Sequence, residues 1–327
     1  VQTLTEIRSL LAARGVRPKH RLGQNFLHDH NILRKLVSAA LPEGTASGGT
    51  ALAHGLALAP DGETIPPNGV ALAPAEGTAP SVPSVLEVGP GTGALTELLL
   101  DHGLRVIACE VDRDMIEILN ERVMPRAEGR LTIVEGDCLD GKHALSAALR
   151  SELDRIAPRF RLIANLPYGT ATPLIATLLA DHPECDGLFV TIQREVADRL
   201  LASARSDAYG PLSVTTALLA RCERLMDVAP GCFWPAPTVT SAIVAIHPRA
   251  VAERAPAIRT RRALHDFERF VSRVFSKRRK QLGSILGRDT PLPTGIGAQQ
   301  RPEELAPSQW LELWSLSAAT GADTPCE

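Results

Sequence analysis

Residues 84–112 read "SVLEVGPGTGALTELLLDHGLRVIACEVD", and three kinds of pattern follow one another within them. Ser84 to Val88 is a short apolar run of strand length, and Arg105 to Asp112 is a second. Between them "ALTELLLDHG" (94–103) carries its leucines at helical spacing. Gly89, Gly91 and Gly93 join the first strand to the helix, where a backbone without Cβ atoms turns tightly and passes close to a ligand. Strand, glycine turn, helix and strand in this order form the opening unit of a doubly wound parallel sheet. Gly89, Gly91 and Ala94 also satisfy the dinucleotide pattern G-x-G-x-x-A, with Glu110 placed for a ribose, so a nicotinamide dehydrogenase stays open at this point.

The alternation continues outward. "RDMIEILNERV" (113–123) reads as a helix, "LTIVEGD" (131–137) as a strand and 143–153 as a helix. "RLIANL" (161–166) is a strand, followed by a helix from Pro173 and by "GLFVTIQ" (187–193) leading into "REVADRLLA". Residues 211–220 read as helical, and "SAIVAIHP" (241–248) as a late strand, antiparallel at the sheet edge. Upstream, Ile32, Leu33, Leu36, Val37, Ala40 and Leu41 lie on one helical stripe that Pro42 ends. From Pro42 to Pro83 the composition changes: 23 of 42 residues are Gly, Ala or Pro and none is Lys or Arg, which marks an insert, either disordered or a small hairpin. After Pro248 the pattern is wholly helical. Leu264, Phe267, Phe270, Val271, Val274 and Phe275 recur at helical spacings, two helices meet near Arg278, and Trp310, Leu311, Leu313 and Trp314 pack a last helix inward. The expected organisation is a basic arm and helix over 1–41, the insert over 42–83, an α/β sheet domain over 84–254 completed by 1–41, and a helical domain over 255–327.

Charge and cysteine content narrow the classes. The chain of 327 residues has a formal net charge of -2, but ten Arg or Lys stand against two acids from Arg259 to Arg288, and five against one from Val1 to Leu27. Cationic ends on a near-neutral chain suit a polyanionic partner held on one face. The six cysteines form no C-x-x-C pair, which argues for reduced thiols rather than a disulfide framework or a zinc site. No run approaches 18 apolar residues and no leader pattern opens the sequence, so the expectation is a soluble cytoplasmic protein without a membrane span.

Asp137 closes the third strand, where a carboxylate accepts from an adenine amino group, with Cys138 beside it. After the fourth strand comes "NLPY" (165–168), for which a dehydrogenase has no use. An exocyclic amine conjugated to a ring is a poor nucleophile because its lone pair is delocalised. If the Asn165 side-chain oxygen and the Leu166 carbonyl hold its two N–H bonds, the lone pair turns toward an electrophile, and both contacts strengthen as positive charge develops on nitrogen. Pro167 stiffens the backbone between them, and Tyr168 stacks on the base. A sulfonium methyl donor, S-adenosylmethionine, is already activated, so no metal is required. Phe233, in the rigid loop "GCFWPAPTVTS" (231–241), is expected to cover the base opposite Tyr168, with Trp234 left as packing.

At this point the chain resembles the ribosomal RNA adenine N6-dimethyltransferases, in their bacterial small-subunit branch. The matching segments are "RLGQNFLHD" (21–29), "LEVGPGTGALT" (86–96), "CEVDRDM" (109–115), "GD" (136–137), "NLPYGTATP" (165–173), "QREVADRLLA" (193–202), "YGPLSV" (209–214), "FWPAPTVTSAIV" (233–244) and "VFSKRRKQLGSIL" (274–286). Only 42–83 falls clearly outside. The resemblance implies a class I S-adenosylmethionine-dependent methyltransferase with a Rossmann-like sheet and a small all-helical C-terminal domain. It implies that Asn25 and Leu27 close over the donor, that Glu87, Gly89, Gly91 and Gly93 hold its methionine part, Glu110 its ribose and Asp137 its adenine, and that Asn165 lies between donor and target. It further implies two methyls on each of two adjacent adenosines in the 3′-terminal hairpin loop of 16S rRNA, on the small ribosomal subunit, with Arg278, Arg279 and Lys280 resting on phosphates. Nothing in the sequence calls for an oligomer, and a monomer is expected.

Two departures stand out. The family usually has Asn-Ile-Ser-Thr after the motif tyrosine, where this chain has Gly169, Thr170, Ala171 and Thr172, and Thr240 stands where Asp or Asn is frequent. Two other readings use the same motifs: a large-subunit (23S) rRNA adenine methyltransferase of the macrolide-resistance type, and a non-catalytic RNA-binding maturation factor on the same scaffold.

Overall fold

The computed structural model describes residues 2–41, 83–141, 144–156, 158–287 and 290–319. The Gly/Ala/Pro-rich insert, with the choice between hairpin and disorder, lies outside the described residues but for Pro83.

Seven strands, β1 (Ser84–Val88), β2 (Arg105–Glu110), β3 (Leu131–Glu135), β4 (Phe160–Asn165), β5 (Cys185–Gln193), β6 (Ala220–Val228) and β7 (Ser241–Pro248), form one sheet in the order β3-β2-β1-β4-β5-β7-β6. The chain steps from β1 outward to β2 and β3, then returns to place β4 on the other side of β1. That reversal is the topological switch point at which such sheets bind ligands. The C-terminal ends of β1, β2, β3 and β4 therefore bring 89–93, Glu110, Asp137 and 165–168 to one edge, as the parallel reading predicts.

Period-two alternation gives the sheet two apolar faces. Leu86, Leu162, Val190 and Val244 face one cluster; Val85, Ile163, Phe189 and Ile243 face the other. On the second face lie helices α2 (His30–Ala40), with Leu33, Leu36 and Val37 buried, and α3 (Ala94–Asp101). On the first lie α6 (Tyr168–Asp181) and α8 (Pro211–Leu219), and against them pack α9 (Arg261–Phe275), the short α10 (Leu282–Leu286) and α11 (Pro307–Ala319). Phe275 stacks on Trp310 at 5.0 Å between ring centres, and Phe267 meets Trp314 edge-on at 5.6 Å, so the helical segment is sealed by aromatic contacts worth about 0.5–1.5 kcal/mol each beyond their buried area. Asp181, its side chain 1% exposed, ties the end of α6 to Arg261 and His265 of α9.

Three expectations need correcting. The 241–248 strand is antiparallel but lies inside the sheet, between β5 and β6. The edge on that side is β6, which follows directly on the 211–220 segment read as helical and to which the sequence reading assigns no strand. The helix after β4 starts at Tyr168, not near Pro173, which sits within it; Pro167 receives the N–H bonds of Thr170 and Ala171, at 2.9 and 3.2 Å, and the buried stripe Ala171, Leu174, Ile175 and Leu178 outweighs the bond that a proline forgoes. A two-strand ladder, Leu139–Asp140 with Ala144–Leu145, occupies the start of the segment read as a 143–153 helix, so α5 runs Ala147–Ile156.

Candidate active site

A cavity of about 310 Å³ opens at this edge, at the lower end of the roughly 300–1,000 Å³ range usual for small-molecule sites. Asn25, Leu27, Glu87, Gly89, Gly91, Glu110, Asp137, Asn165, Leu166, Pro167 and Tyr168 all line it. Gly89 and Gly91 of the glycine loop form part of its wall. Gly89 has φ +71°, and a Cβ there would stand 3.0 Å from Pro167 Cγ, so this glycine lets the first loop touch the 165–168 motif. At Gly91, φ +56°, a Cβ would stand 2.9 Å from the Phe26 ring, so the same loop also admits the N-terminal arm. Gly93 does not line the cavity; it caps α3 and faces Val123 and Leu119.

The acids are individually held. Burial pushes the Glu87 carboxyl up to about 8, against the pull of the Thr96 hydroxyl that donates to it at 2.7 Å. Burial also raises Glu110, while the N–H groups of Asp112 (2.9 Å), Gly91 (3.2 Å) and Val111 (2.9 Å) favour its charged form. Its Oε1 carries two of these donors and Oε2 one, which leaves Oε2 room for a hydroxyl. Asp137 lines the cavity and accepts from Leu139 N–H at 3.0 Å through Oδ1. Cys109 is pushed up to about 12 by burial and Cys138 is raised as well, so neither lining thiol ionises near neutrality to compete for an electrophile.

Asn165 ends β4, and its Nδ2 donates to the Asn25 carbonyl at 3.0 Å. None of the described hydrogen bonds is made to its Oδ1 or to the Leu166 carbonyl, while Leu166 N–H is fixed to Thr191 at 3.1 Å. Two carbonyl-type oxygens at consecutive residues are thus left as acceptors at the cavity. Tyr168 opens α6 half-buried, its hydroxyl 2.9 Å from Ser241 Oγ, and burial raises its phenol against that bond.

Phe233 is not where the base-covering reading puts it. It pairs with Leu27 in a two-residue ladder, is 3% exposed, and packs into the apolar cluster that includes Leu33, outside the cavity. Alternation along that ladder sends its neighbour Trp234 the other way, beside Phe26 at 6.3 Å and under the Arg8 guanidinium at 5.4 Å. In the C-terminal segment Arg279 and Lys280 are exposed, but Arg278 is engaged: it pairs with Glu303 and donates to the carbonyls of Asp207 (2.9 Å) and Ser206 (3.4 Å). Lys19, Gln24 and Asp112 also meet beside the site. Lys19 Nζ and Gln24 Nε2 both reach the buried carboxylate of Asp112, and the Lys19 bonds to Asp112 and Asp114 raise its ammonium. No local pattern announces a bond spanning some ninety positions.

The sheet order, the glycine loop and the acids at successive strand ends define a class I S-adenosylmethionine-dependent methyltransferase. Residues 15–316 match the ribosomal RNA adenine dimethylase family, and the chain belongs to it. It is 33% identical over 302 residues to the ribosomal RNA small subunit methyltransferase A of Methylococcus capsulatus, covering 90% of this chain and 96% of that one. To the protein of the same name from Azorhizobium caulinodans it is 35% identical over 324 residues, covering 96% and 93%. Among solved structures, a dimethyladenosine transferase from Plasmodium falciparum superposes with TM-score 0.61 at 21% identity over 90% of this chain and 98% of that one, and the 23S rRNA methyltransferase ErmE with 0.55 at 22% over 89% and 99%. At these identities the two structures share the fold. Among the described residues no helix is long and apolar enough to cross a membrane.

Proposed function

We propose that the chain dimethylates N6 of two adjacent adenosines in the 3′-terminal hairpin loop of 16S rRNA, acting as a monomer on the small ribosomal subunit in the cytoplasm. The observation that carries the transfer step is the orientation of Asn165. With Nδ2 tied to Asn25, its oxygen and the Leu166 carbonyl are the free acceptors, and two acceptors are what an adenine amine needs to present its lone pair.

S-adenosylmethionine fits the donor set: the places where a Cβ would fill the cradle are glycines, and the carboxylates at successive strand ends suit ribose hydroxyls and an adenine amine. The sulfonium supplies an electrophilic methyl. Asn25 and Leu27 close over it, Glu87 and the 89–91 loop flank the methionine part, with Gly93 holding the loop to α3 behind them, Glu110 takes the ribose, and Asp137 takes the adenine. Asn165 and Leu166 hold the target amine, Pro167 fixes the spacing between them, and Tyr168, steadied by Ser241, stacks on a base that has left its helix. Phe233 serves this site indirectly, by seating Leu27.

We take residues 255–319 as the RNA-facing unit, with Arg279 and Lys280 on phosphates, and residues 2–41 as part of the catalytic unit. The experiment is methyl transfer to 30S subunits from a strain lacking the modification, followed by digestion to nucleosides. Dimethyladenosine, at two residues per subunit, is expected. Activity on naked 23S rRNA and none on 30S subunits would overturn the substrate.

A further inference from the structure

We propose that Asp112 is a positioning residue for methyl transfer: it latches the 19–25 arm over the cofactor cleft and so fixes the carbonyl that orients Asn165. This rests on the functional reading of Asn165 given above.

Asp112 is 2% exposed and lies two residues beyond Glu110, at the N-cap of α4 (Arg113–Arg122). Capping occupies one contact, from Asp114 N–H to Oδ1 at 3.2 Å. A buried carboxylate needs more partners than that, and the arm provides them. Lys19 Nζ reaches Oδ1, and Gln24 Nε2 donates to Oδ2 at 2.7 Å. Gln24 also accepts from Lys19 N–H at 2.7 Å through Oε1, which closes the arm into a loop around Gly23, and Lys19 Nζ touches Asp114 at 2.7 Å. The next carbonyl along, that of Asn25, takes the Asn165 amide.

The helix cap is made without the arm, so the arm bonds are additional to it. They also arise from the turn that holds Glu110, since Asp112 N–H donates to Glu110 Oε1 at 2.9 Å. One short turn, 110–114, thereby sets both the ribose-facing carboxylate and the closure of the arm. With the latch open, the Asn25 carbonyl is no longer held against Asn165, and the closed, binding-competent form becomes a fraction of the population.

Asp112→Asn keeps an acceptor suited to the N-cap but turns an amide donor against the donors of Gln24 or Lys19. In the full chain we expect the dissociation constant of S-adenosylhomocysteine, read by calorimetry, to rise about tenfold, as it does when the competent form falls to about a tenth. The KM for S-adenosylmethionine should rise in parallel while kcat at saturating donor stays within about threefold, and amide hydrogen exchange over 19–27 should quicken in cofactor-free protein. A fold defect alone would lower the active fraction without this split. Combining Asp112→Asn with Gln24→Glu exchanges donor and acceptor and should restore affinity. If Asp112→Asn does not fold, Lys19→Met removes half the latch from the arm side and is expected to show the same KM increase. Wild-type affinity together with wild-type exchange over 19–27 in these variants overturns the latch. Wild-type protein that fails to bind S-adenosylhomocysteine contradicts the functional reading and the latch with it, whereas tight binding by the wild type and Asn165→Ala activity left intact contradicts the acceptor role and the orienting of Asn165, and leaves the closure of the arm to be decided by the affinity and exchange of the Asp112 and Lys19 variants.

Discussion

The side-chain amide nitrogen of Asn165 donates to the main-chain carbonyl of Asn25 at 3.0 Å, across 140 positions of sequence. The opposite orientation of the carboxamide would set two oxygens face to face, so this bond determines that Oδ1 is the end left for a ligand. In the proposed mechanism the arm that lines the cofactor cleft thus also orients the acceptor for the target amine.

Gly89 is the point where the glycine loop and the 165–168 motif touch. Gly89→Ala would force an L-residue into φ +71° and set its methyl 3.0 Å from Pro167 Cγ and 3.1 Å from Cδ. The backbone cost alone is about 1–2 kcal/mol, and Pro167 must move in addition. We expect a loss of S-adenosylhomocysteine affinity of more than about tenfold by calorimetry, together with a fall in kcat; unchanged binding and turnover would show that the contact is slack.

Tyr168 combines a stacking face with a tether to Ser241. Tyr168→Phe removes the tether and keeps the face, and should lower kcat by only a fewfold. Tyr168→Ala removes both and should weaken transfer by the roughly 1–3 kcal/mol that base–aromatic stacking contributes. Equal kinetics for the two variants, measured on 30S subunits, would take the ring out of base contact.

Glu87 links the site to stability. Its carboxyl stands at about 8 when folded, raised chiefly by burial, against an ordinary value of 4.5. Between these values the native state binds a proton that the unfolded state has released, so the contribution is most favourable below about 4.5, falls as pH rises toward 8, and is level above it. The slope is on the order of 1 kcal/mol per pH unit. Glu87→Gln, which retains an acceptor for Thr96, should flatten the decline of Tm across this window. An unaltered slope would place the titration elsewhere, for instance on Glu110 or Glu268, both also raised by burial.

Much of this architecture was legible in the sequence, because buried parallel strands and amphipathic helices are written in local periods. β1, with all five residues buried, and α9, with its stripe from Leu264 to Phe275, are plain in that sense. β6 was not: "ARCERLMDV" is paired on one side only, mixes polar residues along an exposed edge, and follows a helix with no turn residue between them, so no local period marks it as a strand. The glycine loop and the 165–168 motif announced themselves through residue types that only a site requires. Phe233 misled because composition puts an aromatic in a loop without saying which way alternation turns it. Lys19, Gln24 and Asp112 were illegible because their meaning lies in a contact that only the folded chain makes.

The three basic residues at 278–280 should separate under mutation. Arg278→Ala breaks the pairing with Glu303 and the bonds to Ser206 and Asp207, and should lower stability by about 1–2 kcal/mol in denaturant titrations. Replacing the exposed Arg279 and Lys280 together should leave stability unchanged and reduce the salt slope of 30S binding by about one unit for each phosphate no longer neutralised. A salt slope identical to wild type would move the RNA interface away from this turn.

The most direct measurement is single-turnover transfer of tritiated methyl from S-adenosylmethionine to undermodified 30S subunits by Asn165→Ala, with S-adenosylhomocysteine affinity followed in the same preparation. Loss of one preorganised partner to developing charge costs about 10²–10³ in rate, and the expected outcome is a fall of that size in protein that still binds the cofactor product. Transfer at the wild-type rate would mean that the Asn165 oxygen does not hold the reacting amine.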